Sequence, residues 1–323
     1  MTLRTYDNTR LSDFKRCPRY YFYRHVMHWV PNGTSLPLIF GSAWHQAMDV
    51  MWLGITEGIK ENELVMMAYD AFLKCWKEMG MPDPSEIDLV TQKELLPRTP
   101  SRALDMLYEY YARRQRVIRE LELISVERSF VVPMKPDDPE LFYVGKIDKT
   151  ARVSGRIRAF DHKTTTAMKL DGDSYKVRPM YLETFSPDSQ MDGYVFNLRM
   201  TYPDDKVDCW VDVALVHSKD EDFKFVSIDR TDGQLNSWLG QTLYWIDLVE
   251  KQALELQECS EYDDYMTAYP MNTNSCFDFN THCPFINLCK SRPNPLTWGD
   301  QAPPGYQHSV WNPLEHAGNP ELK

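Results

Sequence analysis

Gly145-Lys146-Ile147-Asp148 and, further along, Phe160-Asp161-His162-Lys163 are the stretches on which the reading of this chain turns. They lie in runs of β-branched and aromatic residues: Leu121 to Pro133, Leu141 to Thr150 and Arg156 to Lys163. Pro136-Asp137-Asp138-Pro139 separates the first two, so a three-stranded meander is expected. Side chains two apart on a strand share a face, which puts Asp161 and Lys163 together, and an antiparallel pairing brings Asp148 beside them. Two carboxylates about 4 Å apart repel by about 4 kcal/mol at an effective dielectric of about 20, so keeping both ionised calls for a cation between them. Oxygen ligands favour Mg²⁺ or Mn²⁺, and Mg²⁺ leaves positions open for water and a substrate phosphate. That is the inventory of a phosphodiester hydrolase, with Lys163 placed to orient the attacking water and offset charge developing at phosphorus. The bland reading is a solvated strand end with a surface lysine, because an Asp-x-Lys alone is common by chance.

Outward from this pair the texture is helical before and mixed after. Ser12 to Val30 reads as a helix broken or restarted at Pro18, and Trp44, Ala47, Met48, Met51 and Trp52 recur at helical spacing. Glu61 to Met79 and Ser101 to Leu121 repeat that pattern. Ser189 to Met200 reads as a helix, Val207 to Val216 and Phe223 to Ile228 as strands, and Asp232 to Gln257 as a long closing helix, giving a sheet of about five strands. Pro293 to Lys323 is proline-rich and aperiodic.

Composition sets bounds. The 323 residues exceed the about 150 of an average domain, and 43% hydrophobic with 13% aromatic content is enough to bury a core. No apolar run approaches the roughly 20 residues that span a bilayer, and the first residues lack a secretory pattern, so a soluble protein of a reducing cytoplasm is expected. A net charge of -11, from 36 Lys+Arg against 47 Asp+Glu, excludes coating of nucleic acid by bulk electrostatics; any DNA contact is local.

Four stretches, in this order along the chain, resemble the motifs of the PD-(D/E)XK nuclease superfamily, and in particular the RecB-type exonucleases and CRISPR-adaptation nucleases that carry an iron–sulfur cluster. Gly41-Ser42-Ala43-Trp44-His45 resembles the helix whose histidine joins the metal site. Gly145-Lys146-Ile147-Asp148 resembles the strand with the first aspartate, Asp161-His162-Lys163 the (D/E)XK element, and Gln190-Met191-Asp192-Gly193-Tyr194 the Q-x-x-x-Y helix. Ile147 stands where the superfamily name places proline. The resemblance implies an α/β fold with a restriction-endonuclease-like core, a mixed central sheet flanked by helices. It implies metal ligation by His45, Asp148, Asp161 and the backbone carbonyl of His162, and catalytic roles for Asp148, Asp161, Lys163, Gln190 and Tyr194. Glu127, in the preceding strand, is a candidate outer base.

Cys276, Cys283 and Cys289 cluster near one end while Cys17 sits in Arg-Cys-Pro-Arg-Tyr near the other. Four thiolates can hold zinc or an iron–sulfur cluster, but zinc sites use short Cys-x₂₋₄-Cys pairs and none occurs here. One remote cysteine plus a C-terminal trio resembles the [4Fe–4S] arrangement of the iron–sulfur nucleases. The family commonly has two residues between the first two of the trio, against six here, and His282 offers a substitute ligand. Cys75, Cys209 and Cys259 read as small hydrophobes. Basic residues interleave with tyrosines at Lys15, Arg16, Arg19, Tyr20, Arg24 and His25, and recur at Arg113, Arg114, Arg116 and Arg119. Arg16, Arg19, Arg24 and Tyr20 are therefore the candidates for DNA contact.

Residues 1–292 are accordingly expected as one nuclease domain: a helical part at 1–120, a catalytic core at 121–230, and a closing helix with the cluster-binding segment at 231–292. Residues 293–323 are expected as an extended tail. The expected activity is a Mg²⁺- or Mn²⁺-dependent DNA exonuclease, with endonuclease cleavage as an option, acting on single strands or duplex ends in recombination, repair or phage DNA processing. A rival reading is a catalytically weak DNA-binding accessory module on the same fold. The retained Asp148, Asp161 and Lys163 argue against it, since lost catalysis leaves a repulsive carboxylate pair without purpose. A zinc-stabilised interaction protein ranks last.

Overall fold

The computed structural model describes residues 3–278 and 281–312. Its helices are α1 (Asn8–Arg16), α2 (Pro18–Tyr21), α3 (Leu36–Glu57), α4 (Glu61–Glu78), α5 (Leu89–Leu95), α6 (Pro100–Arg119), α7 (Pro179–Glu183), α8 (Ser189–Thr201), α9 (Asp232–Leu256) and α10 (Ile286–Ser291). Its strands are β1 (Arg4–Tyr6), β2 (Trp29–Pro31), β3 (Glu122–Lys135), β4 (Asp138–Val153), β5 (Arg156–Thr165), β6 (Met168–Asp171), β7 (Ser174–Val177), β8 (Lys206–Leu215), β9 (Phe223–Ile228), β10 (Phe277–Asp278), β11 (Thr281–His282) and β12 (Tyr306–His308). The architecture is α/β, with a central mixed sheet flanked by helices.

The chain forms two compact units. One takes Thr34–Phe130 and Lys146–Thr231; the other takes the chain up to Gly33, Val131–Gly145 and the chain from Asp232. In the first, β5 pairs antiparallel with β4 and parallel with β8, and β9 pairs antiparallel with β8. The parallel step needs a crossover, which the segment from β6 to α8 supplies. Helix α3 starts at a proline-bearing first turn and ends at Gly58, whose φ of 76° takes the left-handed cap that a β-carbon would disfavour. Its buried face, Phe40, Trp44, Ala47, Met48, Met51 and Trp52, follows the helical period read from the sequence. Gly54 lets α4 approach, since a Cβ there would lie 2.2 Å from Leu64 Cδ1.

In the second unit, β1 pairs in parallel with Leu141–Tyr143 of β4, making the sheet six-stranded; three residues are too short for an alternating pattern to reveal. The break expected at Pro18 falls at Cys17, which is extended and caps α2, with proline at its first turn. A π-helical turn, Phe22–Val26, follows. Within the segment expected as an extended tail, Pro295–Trp298 forms a 3₁₀ turn and β12 pairs antiparallel with β2; residues 313–323 lie outside the described residues. No helix among the described residues is long and apolar enough to cross a membrane.

Candidate active site

The β4–β5 ladder runs from Val153–Arg156 to Lys149–Phe160, so Asp148 and Asp161 are the next residues at its open end. There the His162 backbone N–H donates to Asp148 Oδ2 at 2.8 Å, tying the two strands through the carboxylate. Helix α3 brings His45 Nδ1 to 3.2 Å from the same oxygen. Period 2 places Lys163 with Asp161, and their charged atoms are 2.7 Å apart.

Helix α8 closes the other side. Gln190 and Tyr194, one turn apart, share a face. Lys163 Nζ donates to Gln190 Oε1 (3.2 Å), and Gln190 Nε2 donates to Asp161 Oδ1 (3.3 Å) and to Tyr194 OH (2.8 Å). The phenol in turn donates to the Lys146 carbonyl (2.9 Å). The amide thus holds the lysine by its oxygen and the aspartate by its nitrogen, while the phenol anchors the amide to β4.

Glu127 completes a convergent donor set. Ligand atoms of His45, Glu127 and Asp148 lie within 4.8 Å of one another. Glu127 sits inside β3 at a φ of 51°, a conformation uncommon for a residue with a side chain; a kink of this kind re-aims a side chain next to a site. Its carboxylate pairs with Lys146. Asp161 stands beside this trio, engaged by Lys163 and Gln190.

The electrostatics separate the two aspartates. Burial alone would raise the Asp148 carboxyl, but His45, then Lys149 and His162, outweigh it and hold the group far below the usual carboxylate range. Asp161 moves the other way: burial and the Asp148 charge push it up against the pull of Lys163. Burial would lower His45 and Lys163, yet Asp148 raises the imidazole and Asp161 the amine. Lys149, fully buried, pairs with Asp49, which lies one turn beyond His45 on α3. Behind β5, Asp212 accepts from Tyr110 OH and from Arg114, both at 2.8 Å. The charged Lys149 beside Asp148 was visible in the sequence without a role, and Asp49 and Asp212 carried no signal because their partners are remote.

The four cysteines expected to act together fall in one unit. Asn272 N–H donates to Cys17 Sγ (3.3 Å) and Cys283 N–H to the Cys276 carbonyl (2.8 Å). Asn272 and Ser275 side chains both donate to the Arg16 carbonyl, binding the two ends of the set. Burial pushes the Cys289 thiol up to about 11 against the pull of Arg19. Exposed His282 packs edge-on against Phe277. Of the other cysteines, Cys209 is buried and Cys75 and Cys259 are half-buried.

The residues expected to meet DNA are largely used inside the protein. Arg19 is 4% exposed and donates to the Tyr269 carbonyl at 2.9 Å, and Tyr20 packs edge-on against Phe285. Both side chains are thus directed into their own unit, which leaves little of either exposed. Arg16 pairs with Asp278 and Arg24 with Asp13. In the later cluster, Arg114 is drawn in by Asp212, while Arg113 and Arg116 pair with Glu109 and Glu120 one turn away.

No curated protein matches this chain. Among solved structures, a "Putative exonuclease" from Eubacterium rectale is similar at 14% identity over 75% of this chain and 79% of that one, with a TM-score of 0.45. Residues 8–290 match the PD-(D/E)XK nuclease superfamily. That span contains every strand and helix of the donor set just described, and the chain belongs to the PD-(D/E)XK nuclease superfamily.

Proposed function

We propose that this nuclease is a Mg²⁺- or Mn²⁺-dependent deoxyribonuclease that hydrolyses phosphodiester bonds from a DNA end, in recombination, repair or phage DNA processing. The observation that carries the reading is the convergence of His45, Glu127 and Asp148, with Lys163 held beside them by Asp161 and Gln190. Imidazole and carboxylate donors from three elements within 4.8 Å suit a divalent cation, and the ionised Asp148 offers it a charge. His45, Glu127 and Asp148 would hold the ion, with Asp161 and the His162 carbonyl as further donors. When bound, the ion supplies Lewis acidity at the phosphate and a water acidified toward neutrality.

The chain's own groups do the rest. Lys163 keeps its proton, so it presents a fixed positive charge to the charge that grows on the phosphate oxygens, and donates a hydrogen bond that aims the attacking water. Gln190 prevents the lysine from folding wholly onto Asp161, and Tyr194 keeps Gln190 in place. Water gives up a proton to solvent as it attacks phosphorus, the P–O bond opposite breaks, and the leaving oxygen takes up a proton from solvent.

Cys17, Cys276, Cys283 and Cys289, which fall in one unit with Asn272 and Ser275 tying the Cys276 segment to Arg16, would hold a [4Fe–4S] cluster. Its role is a clasp between residue 17 and residues 276–289, closing a long loop whose ordering otherwise falls to packing alone.

End-labelled single-stranded and duplex DNAs incubated with Mg²⁺ or Mn²⁺ test the activity. Progressive loss of the label with the wild type and none with Lys163→Ala is expected; equal cleavage by the two would overturn the site. Protein prepared without oxygen is expected to be brown, with iron and acid-labile sulfide, and colourless protein holding zinc would overturn the cluster.

A further inference from the structure

The basic residues read from the sequence as DNA contacts are mostly consumed by carboxylates and carbonyls of the protein, so phosphate contacts must come from elsewhere. The β6–β7 hairpin offers them. It leaves β5 directly after Thr165, the last residue of the strand that carries Asp161 and Lys163, and the chain passes from it through α7 into α8, which carries Gln190. Its base is closed by the Arg178 N–H to the Ala167 carbonyl at 3.0 Å.

Within the hairpin, Lys169 stands directly opposite Lys176. Like charges facing one another across an antiparallel pair are destabilising, by up to about 1 kcal/mol. Lys169 and Arg178 are exposed and Lys176 half-buried; Arg178 Nε donates to the Met168 carbonyl at 3.3 Å, and none of the three makes an ion pair among the described residues. The hairpin's acids, Asp171 and Asp173, flank Gly172 at the tip, leaving the cations along the stem and base, toward β5.

A two-stranded ribbon with four residues a side is not stable alone, yet this one is anchored. Asp220 and Asp222, from the β8–β9 connection, accept the Tyr175 and Val177 N–H groups at 3.0 Å each, and the Tyr175 ring lies 4.6 Å from that of His217. The anchoring pairs backbone N–H groups of β7 and holds the ribbon in place. The hairpin is thus an anchored ribbon whose three cations make no ion pair among the described residues, and it is rooted in the strand that carries Asp161 and Lys163.

We propose that the β6–β7 hairpin is the arm that guides a single DNA strand to the active site, with Lys169, Lys176 and Arg178 each contacting a backbone phosphate. This rests on the deoxyribonuclease reading above. The strand's negative charge relieves the facing lysines, and the arm accounts for substrate capture by a chain whose net charge is -11.

The test is the triple variant Lys169→Gln/Lys176→Gln/Arg178→Gln beside the wild type. A single-stranded oligonucleotide serves as substrate, and its fluorescent form serves for binding in EDTA across a salt series. The loss should fall on KM, raised about tenfold, a change of about 1.4 kcal/mol in binding, and not on kcat. The slope of log affinity against log salt should become shallower by about 2, at roughly 0.7 per phosphate contact on a single strand. Lys176→Glu alone should raise KM further than Lys176→Gln. Unchanged KM and slope in the triple variant overturn the arm while leaving the nuclease intact; a wild type that cuts no DNA instead overturns the reading on which the arm rests.

Discussion

The two clusters of ligand-bearing side chains in this molecule are built on opposite electrostatic principles. In the carboxylate site every acid has a cation of the protein beside it: Asp148 with His45, Asp161 with Lys163, Glu127 with Lys146 and Asp49 with Lys149. Asp148 is therefore ionised in the protein as it stands. Among the thiols, burial dominates and pushes Cys283 and Cys289 upward. The carboxylate cluster is internally neutralised, whereas any metal that bound the cysteines would have to displace their protons.

The sharpest way to break this contrast is Asp148→Asn. It keeps the acceptor for the His162 N–H but removes the charge, so DNA cleavage in Mg²⁺ should fall by at least about 10²–10³-fold with little change in thermal midpoint. Retained cleavage would show that the site does not depend on that charge. Next is Asp49→Asn, which strands fully buried Lys149 without a counter-charge and should cost about 3 kcal/mol in denaturant unfolding. The double variant Asp49→Leu/Lys149→Met should recover most of that loss but cut more slowly, because Lys149 also helps hold Asp148 ionised. If the double variant cuts at the wild-type rate, the pair is only packing.

On the thiol side, Cys289→Ser should abolish iron binding and lower stability by roughly 2 kcal/mol, while Mn²⁺ binding at the carboxylates stays as it was. Loss of both together would mean that the two clusters are not independent. The smallest effect is in two histidines, followed by NMR titration of metal-free protein. His45 is raised, Asp148 overcoming burial, so its contribution is full below about pH 6.5 and fades as pH rises through its folded value. His25 is lowered by burial in spite of Asp13, so its contribution is full above about pH 6.5 and fades as pH falls through its folded value. Shifts of the same sign in both would erase the distinction.

Much of this was open to reading from residues alone. The period-2 placement of Asp161 with Lys163, the apolar face of α3, the pairing of Gln190 with Tyr194 on one face and the restart at Pro18 are local consequences of backbone geometry, and the structure agrees with each. Other features needed the folded chain. Glu127 enters the donor set because β3 bends at a positive φ, and no local pattern announces that bend. Arg19 and Arg114 look like surface cations until a remote carbonyl and a remote carboxylate draw them inward. Strands β1 and β12 are too short to carry a period and exist through pairing with distant segments. Periodicity tells a side chain which way to face; what it meets there depends on contacts between residues far apart in the chain, and those are settled by packing.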